Sequence, residues 1–161
     1  MGWMVVHMVV GKQSGLTYLW VLLSIFIIGL NLGVGAKIWV TQQRKQQELQ
    51  LLFIGNEITH AIGEYYHAVT PHRYPKKIED LLQDQRFSMK RRYLRRSYSD
   101  PLTGKPEWGV IPGADGGISG VYSLSPGVPI KRRGFKKIFG DFSGKESYQE
   151  WIFLFLVDSE V

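Results

Sequence analysis

The sequence predicts an α+β protein: a long N-terminal helix that starts in an apolar, membrane-spanning stretch and packs on a small antiparallel sheet. Three observations carry this. Residues 16–36 contain no charged side chain, residues 37–70 contain no proline and repeat apolar positions three to four apart, and the chain beyond Ser97 is turn-rich with two β-branched and aromatic runs. Helical periodicity first and strand texture afterwards is the order of an α+β domain.

At 161 residues there is room for one ordinary domain and an anchor, since domains run to roughly 100 to 150 residues. Cysteine is absent, which excludes disulfides, thiolate metal sites and a cysteine nucleophile and leaves either redox compartment open. The formal charge of +6 is uneven: residues 41–99 carry eleven basic and six acidic side chains, residues 100–161 seven basic and eight acidic. A basic middle calls for an anionic partner or a solvated face.

Taking the elements in order, the 21 residues from Leu16 to Ala36 cover roughly 30 Å as a helix, the thickness of a bilayer core. A cleavable secretion signal has a shorter apolar region, although Val34-Gly35-Ala36 offers a small-residue cleavage site. A buried helix of a soluble protein would need a core on all its sides, because apolar residues occur around the whole circumference. Lys37, Arg44 and Lys45 follow the run whereas Lys12 and His7 precede it. The positive-inside bias therefore puts the C-terminal side in the cytoplasm, a rule that weakens when a long domain follows.

The helix is expected to continue to about residue 70, burying Ile54, Ile58, Ile62, Tyr65 and Val69, until Pro71 stops it. Continuous from Leu16, it would be roughly 80 Å long. A short second helix is expected over about 76–85, with Pro75 at its start and Ile78, Leu81 and Leu82 as its buried stripe. "SDPLTGKPEWG" and "PGADGG" read as turns; residues 117–125 and 148–157 read as strands, so the sheet is expected after about 117.

Gly15-Leu16-Thr17-Tyr18-Leu19-Trp20 followed by an apolar helix resembles "GFTLIE", the prepilin processing site of type IV pilins and type II secretion pseudopilins. "YPKKIEDLL" stands where major, G-type pseudopilins have their "YP" and short helix, "SDPLTGKPEWG" is similar to their "DPWGNPY" turn, and "GISGVYSLSP" to the strand that follows. The resemblance runs in order from Gly15 to Pro126. It implies a pilin-like fold in three segments: a cytoplasmic leader at 1–15, a transmembrane and assembly helix at 16–36, and a periplasmic α+β domain at 37–161. It further implies cleavage by a prepilin peptidase between Gly15 and Leu16, N-methylation of Leu16, and single-pass insertion in the inner membrane with the N-terminus cytoplasmic. Partners would be other pseudopilins, in a homo- or hetero-oligomeric periplasmic filament for protein export, with an inner-membrane assembly platform and its ATPase. This topology opposes the charge bias and is the one adopted.

The chain departs from the pattern at two points. Its leader, "MGWMVVHMVVGKQSG", is less basic than usual, and the fifth mature residue is Trp20 where the family has glutamate. A carboxylate there would neutralise a neighbouring subunit's terminal ammonium inside an apolar fibre, where unpaired charge is costly. An indole cannot, which points to an atypical or minor subunit; tryptophan also suits lipid or the headgroup belt.

"RFSMKRRYLRR" sets Lys90, Arg91, Arg92, Arg95 and Arg96, together with Arg86, among Phe87 and Tyr93. It is a candidate polyanion-binding segment. Phosphate neutralisation with stacking would suit nucleic acid, as in some minor pilins of DNA-uptake systems. A solvated face, anionic lipid or acidic partner subunits suit the same residues. No base-reading motif accompanies the charge, so a DNA-binding minor pilin is the alternative and nucleic acid is not the expected partner. A further alternative is a membrane-tethered periplasmic module that does not polymerise.

Glu57-x-x-His60 and Glu64-x-x-His67 lie on one helix and cannot face each other across a core as paired di-iron motifs do, so they read as a solvated face. "PGADGG" lacks the lysine and hydroxyl of a phosphate loop. Calcium in a C-terminal loop would accord with the resemblance, and Asp115, Asp141 and Asp158 offer oxygens. None matches a family ligand position, so no metal or cofactor is assigned. Nucleophile-elbow spacing is absent and no catalytic constellation stands out, so no enzyme is expected. "IKRRGFKKIFGDF", 130–142, departs from the G-type pattern and reads as a loop or added strand carrying a second basic patch.

Overall fold

The computed structural model describes residues 14–136 and 142–157, and of Ser14 and residues 30–38 the backbone alone. The leader expected at 1–15 lies outside the described residues except for its last two positions. The chain divides into two compact units, Met1–Thr41 and Gln42–Val161. One helix, α1, spans Ser14–His67 and so contributes to both.

Over residues 15–29 α1 carries no charged side chain, and its large apolar side chains are all exposed. Among the described residues no helix is long and apolar enough to cross a membrane; of the expected 16–36 span, the side chains of 30–36 lie outside the described residues.

The second unit is α+β. The later turns of α1 accompany a three-stranded antiparallel sheet in the order β1-β2-β3, with β1 at Gly109–Pro112, β2 at Ile118–Tyr122 and β3 at Phe153–Leu154. Ile58, Ile62 and Tyr65 are buried as the helical period requires, joined by Leu51, Leu52 and Ala61. Facing them in one cluster are Trp108, Ile118, Val121, Phe142, Tyr148, Trp151 and Phe153. Two helical glycines set the approach of the last strand. A Cβ on Gly55 would sit 2.5 Å from the Phe153 ring, and one on Gly63 2.7 Å from that of Phe155. Glycine weakens a helix, and here it allows two aromatic rings to lie against the helix backbone.

Several elements differ from the sequence expectation, each for a local reason. α1 ends at His67, with a tight last turn in which the Ala68 N–H donates to the Tyr65 carbonyl at 3.3 Å. Instead of a helix over 76–85 there is a 3-10 turn at Ile78–Leu81. The Asp80 carboxylate accepts from the Lys76 and Lys77 N–H groups, both at 3.0 Å. Beyond it the Leu81 carbonyl accepts from Tyr93 and Leu94, and the Asp84 N–H donates to the Arg91 carbonyl. The groups that would propagate a helix are taken by the segment 91–94.

β1 lies ahead of the region where strands were expected. It is four residues long, pairs Gly109 with Tyr122 and Val110 with Val121, and has a register shift between Ile111 and Pro112. Proline is tolerated there because β1 is an edge strand. The run 148–157 supplies only two ladder residues. It opens as a 3-10 turn, Tyr148–Glu150, where the Ser147 hydroxyl accepts from the Gln149 N–H at 3.2 Å and the Glu150 carboxylate from the Ser147 N–H at 3.2 Å.

Candidate functional sites: an apolar helix and two basic ends

The first candidate is the start of α1. Gly15 is helical with open space around its Cα, and Leu16 is 65% exposed. Trp20 is 62% exposed, and its carbonyl accepts from the Ser24 hydroxyl at 2.8 Å. Every large apolar side chain described from Leu16 to Ile28 is exposed. Among the described residues of this unit nothing covers Gly15, Leu16 or Trp20, and the three share only a helical surface.

The second candidate is the basic segment. Lys90, Arg91, Arg92, Arg95 and Arg96 are all exposed. None pairs with a carboxylate among the described residues. Arg91 lies over the rings of Phe87 and Tyr93 at 5.1 and 5.5 Å, Arg96 over Tyr98 at 5.1 Å, and Arg92 Nε donates to the Leu82 carbonyl at 3.1 Å. These contacts direct the guanidinium groups along the surface without neutralising them.

Arg86, from the same run, has another role. Its Nε and Nη2 donate to both oxygens of the Asp84 carboxylate at 2.7–3.0 Å, and Nη2 also reaches the Tyr65 carbonyl at 2.8 Å. The guanidinium lies 3.5 Å from the centre of the Tyr65 ring, and the Tyr93 hydroxyl donates to Asp84 at 2.9 Å. Burial pushes the Asp84 carboxyl up, yet the hydrogen bonds from Arg86 and Tyr93 and the guanidinium charge together hold it below the ordinary value. Burial, with Asp84 adding to it, pushes both Tyr65 and Tyr93 up. This network fastens the loop to the C-terminal turns of α1.

At the other end of the domain Glu48 is 2% exposed. Its carboxylate accepts from the Ile130 N–H at 2.5 Å, the Lys131 N–H at 3.2 Å and the Tyr148 hydroxyl at 2.8 Å. Burial, and then the bond to Glu48, push the Tyr148 phenol far above its ordinary value. Lys131, Arg132, Arg133 and Lys136 emerge from the backbone that Glu48 holds, with Lys131 Nζ 5.1 Å from the centre of the Phe135 ring. The remainder of the expected second basic patch, 137–141, lies outside the described residues. Along α1 from Glu48 to Tyr65 the rise is about 25 Å. The start of the first basic segment, Arg86 to Arg91, therefore lies at the Tyr65 end of the domain and the second segment at the Glu48 end.

The His60, Glu64 and His67 stripe borders an open groove of about 450 Å³ with Thr59, Gly63 and Phe155. His60 Nδ1 and Glu64 are 3.7 Å apart and both well exposed. Among the described residues no three His, Asp or Glu side chains gather as a metal site. Asp115 is occupied by the N–H groups of Tyr74 at 2.9 Å and Gly117 at 3.0 Å. These bonds, and Arg73 nearby, outweigh burial and hold its carboxyl below the ordinary value. Asp141 and Asp158 lie outside the described residues.

Compared with known protein families, characterised proteins and solved structures, the chain has no match. The structural roles of Glu48, Asp84 and Asp100 escape sequence reading. Asp100, fully buried, accepts from the Leu102 N–H at 2.9 Å and the Ser123 hydroxyl at 2.7 Å and shapes the "SDPLTGK" turn. Its signal was the Asp-Pro turn itself; for Asp84, the signal was an acid two residues before an arginine.

Proposed function

We propose that the chain is a non-enzymatic pseudopilin subunit of a type II secretion or type IV pilus-like apparatus, with a pilin-like fold, anchored in the inner membrane through residues 16–36 with its domain in the periplasm. The observation that carries this reading is the Gly15-Leu16 processing-site sequence at the head of a helix whose large apolar side chains from Leu16 to Ile28 are all exposed. Such a surface needs lipid or other helices around it. The family elements after it, "YP", the Asp100 turn and the "GISGVY" strand, supply the second support. On this reading a prepilin peptidase cuts before Leu16, the new terminus is methylated, and the helix passes from lipid into a filament with other pseudopilins on an ATPase-driven platform. Trp20 replaces the charge-neutralising glutamate and makes the subunit an atypical or minor one.

Mass spectrometry of the mature N-terminus tests this directly. N-methylated Leu16 as the first residue is the expected result; an intact Met1 or cleavage after Ala36 overturns it. The exposed, unpaired cations of 90–96 favour a second reading, a minor pilin that binds DNA. A DNA mobility shift that weakens steeply with salt and vanishes on replacing Arg91, Arg92, Arg95 and Arg96 by glutamine is its expected signature, and no shift at low salt dismisses it.

A further inference from the structure

The two basic segments differ in where the fold puts them. Arg44 and Lys45 are exposed on the turn of α1 that precedes Glu48. Glu48 in turn holds the backbone of Ile130 and Lys131, from which Arg132, Arg133 and Lys136 stand exposed. Six cations thus gather at one end of the domain, and none of them is ion-paired among the described residues. The acids nearby are engaged: Glu48 is buried in its hydrogen bonds, and Glu150 faces Lys145 at 3.8 Å and accepts from Glu146 and Ser147 N–H groups. Among the described residues there, Glu146 alone is an exposed acid without an ion pair.

From Arg44 only eight residues lead back to Ala36, the end of the uncharged stretch. As helix they rise about 12 Å, comparable with the roughly 8–10 Å over which a charged membrane surface attracts cations at physiological salt. Lys90 and Arg91 adjoin the Asp84–Arg86 network held at Tyr65, about 25 Å further along α1 than Glu48. A single-stranded nucleic acid would need aromatic faces to stack on, whereas among the described residues of this patch Phe142 is buried and Phe135 is half-buried beneath Lys131.

We propose that Arg44, Lys45, Lys131, Arg132, Arg133 and Lys136 form a surface that docks on the anionic phospholipid headgroups of the membrane holding residues 16–36. This rests on the anchored reading above. The lipid contact retains the subunit at the membrane until assembly lifts it away, and salt or loss of anionic lipid loosens it.

The test uses the full chain reconstituted into vesicles of phosphatidylcholine alone or with one-third phosphatidylglycerol, followed by flotation and brief trypsin digestion. Cleavage after Arg132 and Arg133 is measured relative to cleavage after Arg95 and Arg96 of the same molecules. The expected result is flotation with both vesicles and a relative rate about five-fold or more lower with phosphatidylglycerol only. That protection fades in high salt and in the Arg44→Gln, Lys45→Gln double variant, which keeps every cleavage site scored. Equal ratios in the two vesicles overturn the docking surface alone. A drop reproduced on phosphatidylcholine by added inorganic phosphate assigns a simple phosphate site and overturns it too. Failure to float with either vesicle overturns the anchored reading, and the docking surface with it.

Discussion

Replacing Asp84 with asparagine keeps the shape of a side chain that is fully buried while removing the charge that Arg86 and Tyr93 address. The carboxylate accepts from Arg86 Nε and Nη2, from the Arg86 N–H at 2.9 Å and from the Tyr93 hydroxyl. An amide offers one oxygen and presents an N–H group to the guanidinium. Breaking a buried ion pair removes about 3–5 kcal/mol. The Arg86 side chain is 24% exposed and regains some hydration, so the expected loss is about 2–4 kcal/mol. At about 4 °C per kcal/mol for a domain of this size, Tm should fall by about 8–16 °C. Thermal melting of the full chain in detergent micelles, followed by the near-UV signal of buried Trp108 and Trp151, reads it out. The pH dependence supplies the sign. Because the folded carboxyl titrates below the ordinary 3.8, its stabilisation is complete above that value and is lost as pH falls through the lower folded value. Wild type and Asp84→Asn should therefore differ most at neutral pH and converge in acid. A Tm change under about 2 °C, or a gap that does not narrow in acid, refutes the reasoning.

Glu48→Gln leaves two backbone N–H groups and the Tyr148 hydroxyl with a poorer acceptor. We expect about 1–3 kcal/mol of lost stability and faster amide exchange at Ile130 and Lys131, with unchanged exchange there counting against a clamp. Gly55→Val drives a branched side chain into the Phe153 ring. A lower denaturant midpoint worth about 1–3 kcal/mol is expected, and an unshifted midpoint would show that β3 does not press on the helix. Trp20→Glu should raise incorporation into filaments, scored by cross-linking or by co-purification with partner subunits, while leaving the melt within about 0.5 kcal/mol. No gain in incorporation would count against charge neutralisation at this position.

The helical stripe of the domain was legible because Ile58, Ile62 and Tyr65 obey one period, and burial follows that period wherever a second layer covers one face. The helix expected over 76–85 was not secure by the same logic. Its apolar spacing is real, but Leu81 and Asp84 bond to residues 91–94, and short helices lose such competitions. β1 was hidden because Gly109 and Pro112 mark both ends of four residues as turn, whereas its strand character comes from pairing with β2. Among the site residues, the run Lys90 to Arg96 could be read as charge. That Arg86 would turn inward depended on Tyr65, 21 positions away. Glu48 was less visible still, its partners lying 82 and 100 positions downstream. Local pattern reports exposure and period; it does not report which distant donor fills a buried acceptor.

The opening of α1 sets a condition on everything proposed. Between Leu16 and Ile28 the large apolar side chains are 44–66% exposed, and fully burying one is worth about 1.5–3 kcal/mol. Half-covering eleven of them leaves a deficit on the order of 10 kcal/mol, comparable with the whole stability of a small domain. Among the described residues every buried side chain is at position 48 or later, so the core of the second unit owes nothing to those side chains. On the proposed reading the cover comes from lipid or from other helices. Both are apolar, so transfer from one to the other gains little from hydrophobicity, and a few polar groups decide whether it occurs. A terminal ammonium at Leu16 is the strongest such group on the proposed reading, and Trp20 leaves it unmatched within the chain's own copies. If the proposed reading holds, a filament containing this subunit needs a carboxylate from a different subunit at that level, and a mixed assembly is the partner state that reading favours.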